Sequence, residues 1–344
     1  MSNLEFQRLR ALRFFERISD RRLESASLLW EVKNIPPKTL LWLQGEPAEE
    51  FAFVVSGLLE VHIAEAQIAT IGAGEMLGEA AVFTRDQRTA SISSIEETEL
   101  IALSDTHLQT LKKSHPEIYD LILECSLERM ARRVHEMGRE IAKLASGDSS
   151  APVRKEESAI GKFWKRLTGA GAQTPPSGVS ALKKLPKLKE YNKNILNQIL
   201  KSMTAHFVAK NQPVFLEGEQ GDSVFVVAEG CIEVKRNVRG GKAETLASLY
   251  PGALFGTGSL LLRERRNAAC VAGGGTDAWV YELNREAHNK LAGEGGRAWR
   301  EALIAALAYQ LRNADDRLIA LKLGGTPSLS DYDAIRGDLA GYQG

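Results

Sequence analysis

The chain has 344 residues, of which 44% are hydrophobic and 26% are charged. At about 150 residues per domain this length predicts roughly two domains, and the hydrophobic share gives each a buried core, which excludes a disordered chain. The 44 basic and 44 acidic residues balance, so no overall charge draws the protein to nucleic acid or to an anionic membrane. Three widely spaced cysteines and the lack of any run of 18 apolar residues predict a cytoplasmic protein without a transmembrane segment.

The predicted elements follow a simple order along the first third of the chain. A helix begins after Ser19, a plausible N-cap, and runs through residues 21–29. Short alternating apolar runs that end in glycine come next, such as FAFVVSG at 51–57, and they are typical of a rolled antiparallel sheet. A longer helical segment follows Ser104 and Pro116. The unit is therefore predicted to be helix, β-roll, helix.

An internal repeat shows that this unit occurs twice. Residues 45–62 (GEPAEEFAFVVSGLLEVH) match 218–235 (GEQGDSVFVVAEGCIEVK), and residues 77–92 match 255–270 with about five extra residues in the second copy, which we place in 237–245. We predict an α+β fold of two tandem antiparallel β-rolls, jelly-roll-like, each flanked by helices and ended by a long closing helix.

Both closing helices carry an apolar seam with alternating spacings of four and three residues. Each seam either covers its own roll or forms a helix-to-helix interface, within one chain or between two, and on the latter interpretation we predict a homodimer. The seams consist of Leu123, Leu127, Met130, Val134, Met137, Ile141 and Leu144, and of Ile304, Leu307, Leu311, Ala314, Leu318 and Leu321.

Composition sets the predicted domain boundaries. A first domain spans 1–145, a flexible basic linker rich in Ser, Gly and Pro spans 146–182, a second domain spans 183–323, and a polar tail spans 324–344. Within the linker, the apolar residues at 160, 163, 164 and 167 form a short basic amphipathic stripe, which is typical of a loose linker helix or of a docking segment.

Chemistry-bearing residues predict binding and not catalysis. The six histidines stand alone, and no metal-binding spacing, Ser-based nucleophile elbow or Walker-type phosphate loop is present. We therefore expect no enzyme activity, no metal and no cofactor.

What remains is a phosphate cradle in 77–92, LGEAAVFTRDQRTASI. Gly78 lets the backbone approach a ligand, a helical turn after it supplies free N–H groups, and Arg88 supplies a planar fork for phosphate oxygens. Glu79 fits beside a phosphate only if it faces a neutral hydroxyl such as a ribose 2′-OH.

These residues resemble the phosphate-binding cassette of the cyclic-nucleotide-binding domain, which is shared by catabolite activator proteins, regulatory subunits of cyclic-nucleotide-dependent kinases and cyclic-nucleotide-gated channels. The resemblance covers both repeats. It implies that Glu79 accepts the ribose 2′-OH, that Arg88 pairs with the cyclic phosphate, and that Gly78, Ala80 and Thr89 donate further hydrogen bonds. It also implies a cyclic purine mononucleotide as ligand, and we expect cyclic AMP ahead of cyclic GMP.

The purine is expected to meet the closing helix. Met130 and Arg133 are candidates for a cap there, although Met130 also fits the seam as a core residue.

The second cassette departs from the family pattern at one decisive position. Gly256 and Arg266 are in place, but Thr257 replaces the glutamate, so the candidate second site of Gly256, Thr257, Arg266 and Asn267 is expected to be weaker, altered in ligand or purely structural.

Three functions follow from the resemblance. The first is a cyclic-nucleotide receptor that changes conformation on ligand binding and acts on a protein partner of unknown identity. The second is a kinase-regulatory subunit, which the tandem units and a basic-basic-x-Thr run at 165–168 suggest, although the run lies between the units and not before them. The third is a transcription regulator, which needs a helix-turn-helix after the closing helix. A Pro/Gly linker follows one closing helix and a short tail the other, so nucleic acid is not an expected partner.

Overall fold

The computed structural model describes residues 3–63, 66–146, 174–237 and 243–322. The chain divides into two compact units, Met1–Ser126 and Leu127–Gly344. Each unit contains one pair of antiparallel sheets together with helices, which confirms the predicted α+β fold of two tandem β-rolls. The amphipathic stripe and basic run of the linker, and the tail from 324 onward, lie outside the described residues.

In the residues that the structure describes, the first unit contains eight strands. They are β1 (Glu31–Ile35), β2 (Leu40–Trp42), β3 (Glu50–Ser56), β4 (Leu58–Ile63), β5 (Ala66–Gly72), β6 (Met76–Leu77), β7 (Ser91–Ser94) and β8 (Thr98–Ser104). Its helices are α1 (Leu4–Ala11), α2 (Asp20–Ser27), α3 (Glu79–Thr84), α4 (Asp105–Ser114) and the first part of α5 (Pro116–Ser146), with a 3-10 turn at Arg13–Phe15. The sheets have the strand orders β1-β8-β3-β6 and β2-β7-β4-β5.

The second unit repeats this plan. Its strands are β9 (Thr204–Val208), β10 (Pro213–Phe215), β11 (Ser223–Glu229), β12 (Ile232–Asn237), β13 (Ala243–Leu249), β14 (Leu254–Phe255), β15 (Ala269–Ala272) and β16 (Ala278–Asn284). Its helices are α6 (Gly178–Lys183), α7 (Lys193–Leu200), α8 (Thr257–Leu262), α9 (Arg285–Lys290) and α10 (Gly293–Lys322), with a 3-10 turn at Leu188–Glu190. The sheets have the orders β14-β11-β16-β9 and β10-β15-β12-β13.

Local chemistry explains where the predicted helices begin. Asp20 starts α2 directly after Ser19, which occupies the N-cap position without a side-chain hydrogen bond, whereas the Ser104 hydroxyl accepts a hydrogen bond from the backbone N–H of His107 at 3.2 Å and so caps α4. Pro116 opens α5, where its missing N–H leaves no helical hydrogen bond unmade. The α1 helix, which the sequence patterns did not predict, is capped by the Asn3 side chain at the Glu5 N–H.

Packing places the boundary between the units inside α5. Residues of this helix beyond Ser126 belong to the second unit, whereas the sequence led us to end the first domain at 145. Within the second unit, His135 Nδ1 lies 2.7 Å from a carboxylate oxygen of Glu264, and Arg133 Nη2 lies 3.4 Å from Asp315 Oδ1. These side-chain contacts tie the end of α5 to other elements of the second unit.

The predicted linker also differs from the structure at its end. The helix α6 begins at Gly178, inside the segment assigned to the linker, because the Ser177 hydroxyl accepts the Ser180 N–H at 3.3 Å and the helix buries Leu182.

The seams of the closing helices are largely buried within a single chain. In α5, Met130 is 1% exposed and Ile141 7%, whereas Leu144 is 45% exposed; in α10, Leu307 is fully buried and Leu318 is 3% exposed. Met130 is therefore a core residue of the seam. The homodimer stays a prediction.

None of the helices in the described ranges is long and apolar enough to cross a membrane.

Candidate functional site

The first cassette is built around a glycine that no other residue can replace without displacing its neighbours. Gly78 lies between β6 and α3 with a φ of +80°, in the left-handed region. A Cβ at this position would lie 2.5 Å from Arg88 Nη1 and 2.6 Å from the ring of Trp42. The backbone, the guanidinium and the indole therefore meet at one point.

Arg88 is the buried charge of this cassette. It is 5% exposed, and its guanidinium carbon lies 3.5 Å from the centroid of the Trp42 ring, a cation–π contact. Its Nη2 donates to the backbone carbonyl of Glu50 at 2.7 Å, its Nη1 makes a long bond of 3.4 Å to the Gly78 carbonyl, and its Nε is buried without a hydrogen-bond partner. Among the described residues, no carboxylate oxygen lies within 4 Å of this guanidinium.

Burial also changes the acidity of Arg88. It lowers the pKa of the guanidinium to about 10, and the charges of Glu50, Glu46, Glu79 and Glu49 only partly offset this effect. A buried cation without an ion pair is costly, and an anionic ligand would offset that cost. The arrangement is suited to binding one anionic group next to Gly78.

The other predicted residues of the first site surround this point. Glu79 is 7% exposed at the first position of α3, and Ala80 is half-buried in the same turn. Thr89 is half-buried directly after Arg88. The structure therefore places an acidic side chain and the start of a helical turn beside the arginine, as the cassette pattern predicts, while their roles toward a ligand stay predictions.

The second cassette has the same backbone and the same buried cation. Gly256 has a φ of +83° before α8, and Arg266 is 6% exposed with Nη1 donating to the Gly256 carbonyl at 3.1 Å. Its guanidinium carbon lies 4.1 Å from the ring centroid of Phe215 and 5.6 Å from that of Phe225. Burial lowers the pKa of Arg266 to about 10, an effect that nearby Cys270, Asp222, Glu282 and Glu219 partly offset. Several acidic groups therefore lie around this cation, as in the first cassette.

The two cassettes differ at the first position of the short helix. Thr257 is 4% exposed there and occupies the place of Glu79, whereas Asn267, the counterpart of Thr89, is exposed. The second roll instead carries a carboxylate on β16: Glu282 lies 2.7 Å from His206 Nε2 on β9. Burial raises the pKa of Glu282, but hydrogen bonds with His206 and Ser223 and the charge of Arg266 outweigh it, so the net pKa is lowered.

Sequence reasoning missed the aromatic platforms beneath the two arginines. Trp42 and Phe215 occupy equivalent positions of the repeat, three residues before Gly45 and Gly218. An aromatic residue at the same place in both copies was the available signal. The carbonyl of Glu50, which accepts from Arg88, left no signal in the sequence because any residue supplies a carbonyl.

The cap by Met130 and Arg133 on a bound purine stays a prediction. Met130 is buried, and Arg133 is paired with Asp315, whose pKa is raised by burial against the opposing effect of Arg133.

Two surface clefts have linings that do not include the buried arginines. One of about 360 Å³ is lined by Pro47, Ala48, Arg85, Asp86, Gln87 and Asp105, and one of about 570 Å³ is lined by residues of α7 and Lys201. The geometry of the cassette, and not a cleft, therefore indicates the position of a ligand beside Arg88. Within the described ranges, no group of three or more His, Cys, Asp or Glu side chains is arranged to hold a metal ion.

Comparison with known proteins gives matches in both units. A family model described as "Cyclic nucleotide-binding domain" matches residues 32–115 and 205–294, about half of the chain. A cyclic AMP receptor protein of Thermus thermophilus is 34% identical over 116 residues, which cover 31% of this chain and 48% of that protein. The human cGMP-dependent protein kinase 2 is 22% identical over 306 residues, which cover 88% of this chain and 32% of the kinase. These matches cover less than half the length of either relative.

Among solved structures, the regulatory domain of Toxoplasma gondii PKA in complex with cAMP has a TM-score of 0.31 at 18% identity, covering 86% of this chain and 95% of that one.

Proposed function

Because the chain belongs to the cyclic nucleotide-binding domain family, we propose that its first cassette binds a cyclic purine mononucleotide and that the protein passes this event to a protein partner. One observation carries the proposal. Arg88 is buried, carries spare donors and has no carboxylate within 4 Å among the described residues, although several acidic residues lie around it. A cation in this state requires an anion, and the phosphate of a nucleotide supplies one.

The proposed contacts follow from the position of each group. Arg88 binds the cyclic phosphate through its planar fork, and the backbone N–H groups at the start of α3, including that of Ala80, donate to the same oxygens. Glu79 accepts a hydrogen bond from the ribose 2′-OH, a neutral group that a carboxylate does not repel. Gly78 keeps the backbone close enough for this contact, and Thr89, directly after Arg88, donates a further hydrogen bond.

We propose cyclic AMP ahead of cyclic GMP as the ligand. The more similar of the two relatives is named a cyclic AMP receptor, and it is 34% identical. The kinase, whose name specifies cGMP, is 22% identical. A higher affinity for cyclic GMP in a direct titration would reverse this choice.

The proposed role is that of a regulatory binding protein and not of an enzyme, since the family model that matches both units describes a binding domain. Regulation of a kinase is a second candidate. It is favoured by the alignment with the cGMP-dependent kinase, which runs through both units and not through one alone.

The test is calorimetric titration of the full chain with cyclic AMP. Replacing Arg88 with Ala is expected to weaken binding to the first cassette by more than about 2 kcal/mol, or roughly thirtyfold, because hydrogen bonds to a charged group are lost. The matched control is Arg85→Ala, which removes the same charge from an exposed position in the same loop and is expected to bind like the parent protein. Equal affinity of the Arg88→Ala and parent proteins would show that the cassette assignment is wrong.

A further inference from the structure

The two cassettes form a comparison within one molecule. Both have a glycine in the left-handed region, a buried arginine stacked on an aromatic ring and a six-residue helix that follows the glycine. The side chain at the first position of that helix differs: Glu79 in one unit and Thr257 in the other, 7% and 4% exposed respectively. If the two cassettes select ligands differently at this position, the exchange of Glu79 for Thr257 is the cause.

Arg266 is a buried cation of the second cassette, and an anionic ligand would stabilise it. Its guanidinium has five N–H donors, and Nη1 donates to the Gly256 carbonyl. Within the described part of the chain, no carboxylate oxygen lies within 4 Å of it. The carboxylate of Glu282 is held by His206 and Ser223 instead. This buried cation points to an anionic ligand independently of the helix beside it.

We infer that the second cassette takes a nucleotide through its phosphate alone and does not select for the ribose 2′-OH; this inference rests on the function proposed above. An ionised carboxylate gives a hydrogen bond about twice as strong as a neutral hydroxyl does. The negative charge of the carboxylate also repels the phosphate of a ligand that has no 2′-OH between these two negative groups. Thr257 does neither, since its hydroxyl is neutral and donates or accepts equally. The second site is thus suited to ribose and 2′-deoxyribose cyclic nucleotides alike, whereas the first discriminates against the deoxy form.

The same reasoning gives the relative affinities for the ribose ligand. The first cassette gains the charged bond from Glu79, so it is expected to bind cyclic AMP at least about tenfold more tightly than the second. For 2′-deoxy cyclic AMP that advantage disappears, because the hydroxyl that Glu79 recognises is missing.

The experiment titrates cyclic AMP and 2′-deoxy cyclic AMP into two variants of the full chain, each with one functional cassette. The Arg266→Ala protein, which retains the first site, is expected to bind the deoxy ligand at least about tenfold more weakly than cyclic AMP. The Arg88→Ala protein, which retains the second site, is expected to bind the two ligands within about threefold of each other. Adding Thr257→Glu to Arg88→Ala is expected to create the ribose preference.

Controls keep these results interpretable. Arg85→Ala and Arg263→Ala remove exposed arginines from the equivalent loop positions of the two units and should change neither ratio. Thermal unfolding checks that each variant is folded. Arg88→Lys and Arg266→Lys replace any alanine variant that is not, because lysine keeps the charge but lacks the planar fork.

Three outcomes separate the hypotheses. Ribose selection by the Arg88→Ala protein as strong as that of the Arg266→Ala protein would overturn the inference. A folded Arg88→Ala protein that binds neither ligand, beside an Arg266→Ala protein that binds cyclic AMP, would overturn it too and leave the proposed function standing. An Arg266→Ala protein that also binds neither would overturn the proposed function itself.

Discussion

Replacement of Gly78 by alanine tests the geometry of the first cassette most directly. The new Cβ would lie 2.5 Å from Arg88 Nη1 and 2.6 Å from the Trp42 ring, distances at which atoms must move apart. The left-handed backbone adds a cost of about 1–2 kcal/mol for any residue with a Cβ. Displacing Arg88 from Trp42 adds about 2 kcal/mol more, the magnitude of a desolvated cation–π contact. The expected loss in free energy of unfolding is therefore about 3–4 kcal/mol.

Gly74 provides the matched control. Its φ is +84°, nearly that of Gly78, but a Cβ there would meet nothing within 4 Å. Gly74→Ala is therefore expected to cost only the backbone term of about 1–2 kcal/mol. The backbone strain is common to both variants, so the difference between their free energies of unfolding reports the contact with Arg88 and Trp42.

Scanning calorimetry measures the loss of stability, and ligand titration separately measures the loss of affinity. At about 2–4 °C per kcal/mol, the unfolding midpoint should fall several degrees further in Gly78→Ala than in Gly74→Ala. Affinity for cyclic AMP should fall at least about tenfold in the first and change by less than about threefold in the second, since only the first moves the phosphate fork. Equal midpoints and equal affinities in the two variants would refute the arrangement of Arg88 against Gly78 and Trp42.

Two further predictions concern acid stability and assembly. Burial, with smaller contributions from the charges of Arg300 and Arg285, lowers the pKa of His288 from 6.5 to about 4. The unfolded chain therefore binds the proton first as the pH falls, and stability present above pH 6.5 is lost between about pH 6.5 and 4, by about 3 kcal/mol in total. Denaturant titrations at several pH values should show this loss, and His288→Asn, which keeps an acceptor for the Trp299 Nε1–H, should reduce it; an unchanged pH profile in that variant would contradict the assignment. For assembly, light scattering is expected to give about twice the 37.7 kDa of one chain, and Leu144→Asp, at an exposed position of the seam, should give a single chain; a monomeric parent protein would rule the dimer out.

How far the sequence predicts the fold is clear from the repeat. Each copy carries its turn glycines, cap residues and cassette at fixed separations, and these are local signals that act within a few residues of the chain. A close approach of backbone to ligand requires a residue without a Cβ, which predicts Gly78 as a cassette glycine, and the repeat places Gly256 at the equivalent position; both adopt positive φ. The structure places Arg88 and Arg266 beside these glycines, each with a hydrogen bond to the glycine carbonyl, while the roles of both arginines toward a ligand stay predictions.

Tertiary structure alone decided what surrounds those cations. Trp42 precedes Arg88 by 46 residues and meets it because β2 pairs with β7 in one sheet, a long-range register that no local pattern specifies. The closing helices show the same limit, since an apolar seam is equally compatible with a partner in the same chain or in another. Packing resolved part of that ambiguity, since Met130 is buried within the chain and the boundary between the units divides α5 at Ser126. Burial depends on which surfaces the fold brings together and not on the spacing of the residues that form them.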